Sequence, residues 1–121
     1  MFDTISTSME YVRAGTLRAL AVTSPSRVDI LPDIPTVSEF VPGYEGIGWQ
    51  GICAPKNTPS AIIETLNKEV NAGLADQQLK TRIRDFGATV FPGSAGEFGD
   101  FIGEYTEKWA RVIQAANIKA E

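Results

Sequence analysis

Leu17-Arg18-Ala19-Leu20-Ala21-Val22, directly behind Arg13-Ala14-Gly15-Thr16, decides how the chain is read. Five of its six residues are apolar, and the run is short enough for a buried strand. Before it, Ser6 to Ala14 reads as a short helix with Met9 and Val12 facing inward, and Gly15 supplies its stop. A helix closed by glycine and followed at once by a strand is half of a β-α-β unit, with Met1-Phe2 as what remains of the first strand. The unit predicts an α/β fold.

Pro25, Pro32, Pro35 and Pro42 follow, and no long helix or central strand accommodates that density of proline. A helical turn fits from Thr36 to Phe40, with Thr36 or Ser38 as its cap. The proline-rich stretch either joins two lobes or wraps one surface. Gly46 to Ala54, with Ile47, Trp49, Ile52 and Cys53, reads as a glycine-interrupted strand ended by Pro55. Thr58 and Pro59 then open a helix as cap and first helical residue, with Ile62, Leu66, Val70 and Leu74, and Ile63 beside them, as its apolar stripe. Asp76 caps a further helix carrying Leu79, Ile83 and Phe86 inward and closing at Gly87; Thr89-Val90-Phe91 follows as a short strand.

Ser94-Ala95-Gly96-Glu97 is a capping box at the start of the longest helix. Phe98, Phe101, Ile102, Tyr105, Trp109, Val112, Ile113 and Ala116 fall within about 120° of arc, and such a face demands a partner surface. Gly99, Gly103, Thr106 and Ala110 form a small-residue stripe beside it, either for close approach by another element or simply as an exposed flank.

The composition narrows the chemistry. The 121 residues include 11 basic and 15 acidic side chains, a net charge of −4, with no concentrated run of bases for nucleic acid. With no histidine and a single cysteine, the chain holds no Ser-His-Asp triad, Cys-His dyad or zinc site of its own. Cys53, within an apolar run, reads as a buried structural thiol. Asp100, Glu104 and Glu107 read as a solvated helix face. Neither a Walker nor a Rossmann glycine signature is present, and no metal or cofactor is expected. Met1-Phe2-Asp3-Thr4 shows neither the basic nor the apolar region of a signal peptide.

Recognition by small polar groups is what remains. Asp3-Thr4-Ile5-Ser6-Thr7-Ser8 lies where a strand end meets a helix start, the position at which open α/β sheets take ligands and helix N–H groups meet carboxylates. Asp3, Thr4 and Ser6 are therefore candidate ligand residues, although these groups equally suit plain helix capping. Trp49 is a fourth, with core packing as its alternative.

Taken together, Phe2-Asp3-Thr4, Arg13 to Ser24, Leu31 to Val37, Pro42-Gly43-Tyr44-Glu45, Trp49-Gln50-Gly51, Ala54-Pro55 with Thr58-Pro59, and Lys108 to Ile113 resemble the extracytoplasmic receptors of tripartite tricarboxylate transporters, the Bug type. The resemblance covers essentially the whole chain but only the closing part of such a receptor. It departs at Ser6, where the family often has proline, and at Gly99 and Gly103, where alanine is common. It implies part of a type II-like, Venus-flytrap periplasmic-binding-protein fold with two incomplete lobes: 1–44 ending the second, 45–121 closing the first. It also implies a non-catalytic, periplasmic receptor that binds small carboxylates and passes them to a membrane permease. Missing strands would leave unpaired edges, so a homo-oligomer or a domain-swapped dimer is expected. The rival expectation is a self-assembling interaction module that binds no ligand.

Overall fold

The computed structural model describes residues 1–119. Its helices are α1 (Ile5–Arg13), α2 (Ser60–Ala75), α3 (Gln77–Asp85) and α4 (Ala95–Ala115), with a 3₁₀ turn at Val37–Glu39. None of the expected strands forms among the described residues: 17–22, 46–54 and 89–91 stay outside any ladder. The β pairing that is present is an isolated parallel bridge between Val22 and Thr36. A strand exists only through its neighbour, and apart from the bonds of Val22 and of Gly46 N–H to Thr23 O no bridge joins these segments to another in the described chain. Two compact units emerge, Met1–Cys53 with Leu74–Val90, and Ala54–Gly73 with Phe91 onward.

In the first unit α1 stops as its sequence dictates. Gly15, at φ 71°, lets its own N–H bond to the Val12 carbonyl while Thr16 N–H reaches Tyr11, a Schellman closure. Met9 on α1 is 4% exposed, Val22 6% and Thr36 3%; these are the buried residues of the described chain. Val22 sits in the bridge, donating its N–H to Pro35 O at 2.9 Å and accepting from Val37 N–H at 2.9 Å. The proline-rich loop is held against it by a clamp. Arg27 grips Glu39 with Nε on Oε1 (2.9 Å) and Nη2 on Oε2 (2.7 Å), and Nη1 reaches Pro32 O at 3.2 Å. Glu39 Oε1 also accepts the Thr36 N–H at 3.0 Å.

Asp76 caps α3 as expected, its Oδ1 accepting from Leu79 N–H at 2.8 Å. Gly87 ends α3 with φ 78°, its N–H on Arg84 O and that of Ala88 on Ile83 O. Space is as restrictive there as conformation. A Cβ at residue 87 would overlap Ile5 Cγ2 and lie 3.0 Å from Ile30 Cδ1.

In the second unit, α4 starts at its capping box: Glu97 N–H donates to Ser94 Oγ (3.1 Å) and Ser94 N–H to Glu97 Oε2 (2.7 Å). Just before it, the Gly93 carbonyl accepts from Asn67 Nδ2 and Asn71 Nδ2, each at 2.8 Å, and Gly93 N–H donates to Asn71 Oδ1 at 3.2 Å. The half-buried face of α2 therefore runs through Ile63, Asn67 and Asn71. Of the stripe expected to be core, Ile63 and Leu74 are half-buried, while Ile62 and Leu66 are turned outward, 50% and 49% exposed. On α4, Phe98, Phe101, Tyr105 and Trp109 follow one another with ring centroids 5.6 to 6.4 Å apart, and Phe91 adds to Phe101 at 6.4 Å. Its last turns stay open, with Val112 and Ile113 more than 40% exposed. Space beside Gly99 and Gly103 is empty, so the small-residue stripe is an exposed flank in the described chain.

Two local expectations are corrected. Cys53 is exposed, because nothing pairs with or covers the run 50–54 that was to bury it. Thr58 does not cap α2 through its hydroxyl, which donates to Pro55 O at 2.8 Å and closes the preceding turn.

Gly87→Ala adds a methyl where there is neither room nor a suitable φ, and is expected to lower unfolding stability by about 1–3 kcal/mol. Gly15→Ala carries only the φ penalty, about 1 kcal/mol. Urea unfolding of both variants should rank Gly87→Ala as the more damaging. The Arg27 guanidinium, helped by the Thr36 N–H, lowers the Glu39 pKa to about 2. A depressed carboxyl stabilises above its unfolded pKa, near 4.3, and that contribution is lost as pH falls through the folded value. Acid titration should therefore loosen the 27–39 loop between about pH 4.3 and 2, read by amide exchange, and Arg27→Gln should move the loss to higher pH.

Candidate functional site

The residues proposed for ligand recognition fall into one cluster and one separate position. Asp3 lies just before α1, with Oδ1 accepting from Thr4 N–H at 2.8 Å and Oδ2 from Ser8 Oγ at 2.6 Å. Thr4 is the N-cap residue in extended geometry, but its side chain makes no capping bond. Its hydroxyl meets Thr7 Oγ1 at 2.8 Å and Ser6 Oγ at 3.4 Å, while its carbonyl accepts from the hydroxyls of Thr7 (2.9 Å) and Ser8 (3.0 Å). Asp3, Thr4 and Ser6 are thus linked in one exposed network, in which Thr7 and Ser8 also take part. Sequence reasoning left those two out, although their spacing from Thr4, one helical turn, is the signal that finds them.

Two features bring partial positive charge to the start of α1, beside the negative charge of Asp3. Helix geometry leaves the first N–H groups of α1 without internal acceptors, and those of Ile5 and Ser6 bond to nothing among the described residues. The helix dipole adds partial positive charge at the same end. Asp3 has donors of its own: the hydroxyls of Ser8 and Thr7 and the Thr4 N–H hold its carboxyl below the usual range. The cluster combines a resident carboxylate, held by the Ser8 hydroxyl, with free N–H donors beside it.

Trp49 lies on 46–54, in the same unit, and is 40% exposed. It is therefore not sealed into a core. Among the described residues there is no group of three His, Cys, Asp or Glu able to hold a metal ion, and no helix long and apolar enough to cross a membrane.

Comparison with known proteins settles the family. Residues 1–118 match the model described as the tripartite tricarboxylate transporter family receptor. The chain belongs to that receptor family. Among curated relatives it is 32% identical over 122 residues to the protein of the tcbD–tcbE intergenic region of Pseudomonas sp. (strain P51), covering 99% of this chain and 36% of the relative. Among solved structures it is similar to Rpa4515 of R. palustris, determined with adipate, at TM-score 0.86 and 32% identity. That match covers 93% of this chain and 38% of the neighbour. The periplasmic binding protein BugD matches at TM-score 0.84 and 32% identity, over 94% of this chain and 39% of its own. The chain thus spans under two fifths of each of these proteins, and its architecture is part of a periplasmic-binding-protein fold.

Ser8→Ala removes the short bond on Asp3 Oδ2. The Asp3 carboxyl should then titrate closer to the ordinary carboxylate range, and its contribution to holding the start of α1, present above that range and lost as pH falls through the depressed value, should disappear at higher pH than in the parent. Carboxyl carbon shifts followed through a pH titration read both effects.

Proposed function

We propose that this chain is part of a non-catalytic periplasmic receptor that binds small carboxylates and delivers them to the membrane permease of a tripartite tricarboxylate transporter. Family membership over residues 1–118 carries the reading, and the adipate held by the R. palustris neighbour supports the ligand class. The free N–H groups of Ile5 and Ser6, with the hydroxyls of Thr4 and Ser6 beside them, suit a ligand carboxylate. In this reading Asp3 fixes the loop through Thr4 and Ser8, and Trp49 offers an apolar wall. Residues 1–44 belong to one lobe of the receptor and 45–121 to the other.

A second reading is favoured by one observation, the scarcity of buried residues in either unit. In it the chain is a self-assembling module without ligand binding. Both readings have isolated copies associating or exchanging elements to cover their apolar surfaces.

A thermal-shift series with adipate, succinate, citrate, aspartate and nicotinate separates them. The receptor reading expects a concentration-dependent rise in melting temperature with at least one of these acids, weakened in Thr4→Ala. A flat response to all five favours the module.

A further inference from the structure

The first unit holds a hollow of about 240 Å³ that shares no residue with the cluster at α1. One wall is α3, which contributes Gln77, Lys80, Thr81 and Arg84; the other is Asp29 of the proline-rich loop, and residues 88–90 close the space. Packing holds the two walls together, since Ile30, the neighbour of Asp29, reaches over Gly87 where α3 ends.

Lys80 and Arg84 are one helical turn apart and share a face of α3, and like charges at that spacing weaken a helix. Nothing in the described chain relieves them, for neither makes an ion pair or a side-chain hydrogen bond. Arg82, between them in sequence, lines a different hollow with Gln78. Asp29 is equally unpaired, although it borders the same space as the two cations. Two cations and a carboxylate thus surround one small volume without neutralising one another. The side chains of Gln77 and Thr89 also line it and have no partner among the described residues.

This pattern names the class of occupant. The lining carries one net positive charge, which asks for an anion. An anion made only of acceptors is repelled by Asp29, whereas one that also carries an O–H can donate to it. The volume lies below the roughly 300–1,000 Å³ of ordinary small-molecule pockets, so the occupant is compact. Hydrogenphosphate meets all three conditions. We infer that the hollow is a phosphate site, in which Lys80 and the fork of Arg84 hold the anionic oxygens and Asp29 accepts the phosphate O–H. Asp29 then selects phosphate against sulfate, whose oxygens keep no proton at neutral pH. The site uses neither the α1 cluster nor Trp49, so it stands or falls apart from the receptor reading.

Calorimetric titration of the 121-residue chain with phosphate, sulfate and succinate, at neutral pH and constant ionic strength, tests the inference. Phosphate is expected to bind one-to-one and to move the amide signals of residues 29, 80–84 and 89. It should bind about tenfold or more tightly than sulfate, the discrimination one hydrogen bond to a charged group supplies. Lys80→Gln with Arg84→Gln should weaken phosphate binding to a similar extent. Asp29→Asn should bring sulfate level with phosphate, and Thr4→Ala should change nothing. Unaltered urea midpoints in these variants show that the fold is kept, and the amide shifts of the parent locate the site without any variant. The inference is overturned if phosphate shows no saturable binding, if sulfate or succinate binds as tightly, or if the shifts fall elsewhere. Undiminished binding in the double variant, or a phosphate preference that survives Asp29→Asn, overturns it equally. A melting-temperature rise with carboxylates that Thr4→Ala weakens bears on the receptor reading alone.

Discussion

The short bridge between Val22 and Thr36 is the interaction on which the first unit turns. Two of the buried residues of the described chain are its two members, and the third, Met9, lies on α1 of the same unit. Everything nearby supports that joint. Arg27 and Glu39 keep the proline-rich loop folded onto it, and Glu39 also takes the Thr36 N–H. One carboxylate thus connects an ion pair to the backbone of the bridge. Exposed ion pairs usually contribute little. This one matters through geometry, because its two-pronged grip leaves the loop few alternatives.

The second unit depends on a different device. There the loop before α4 is fixed by polar groups, with one carbonyl shared by two asparagines a helical turn apart. On α2 the face through Ile63, Asn67 and Asn71 is half-buried, while Ile62 and Leu66 on the neighbouring face stay half in water. A helix that leaves Ile62 and Leu66 half in solvent beside satisfied asparagines has two working faces, and only one is used within the described chain.

These features explain what the sequence could and could not disclose. Helix boundaries are set locally, so Ser94 with Glu97, Asp76, Gly15 and Gly87 could be read directly and stand where expected. Strands depend on residues far away. Val22 found Thr36, but Leu20, Ile52 and Val90 found nothing, because a strand-forming pattern does not say where its partner is. Cys53 looked buried for the same reason. The ligand cluster was legible as a polar strand-to-helix junction, and the bonds among Asp3, Thr4 and Ser6 follow from their closeness in sequence. The parts played by Thr7 and Ser8 required the helical turn to bring them back over Thr4. The turn of α2 onto Asn67 and Asn71 was hidden because hydrophobic periodicity gives polar residues no weight.

The openness of residue 53 has a practical corollary. The chain carries one thiol, and that thiol stands in water. A maleimide dye would therefore label a single defined atom with no mutagenesis, beside a stretch free of charge. Air oxidation could join these chains in twos and no further, since each has one thiol to give.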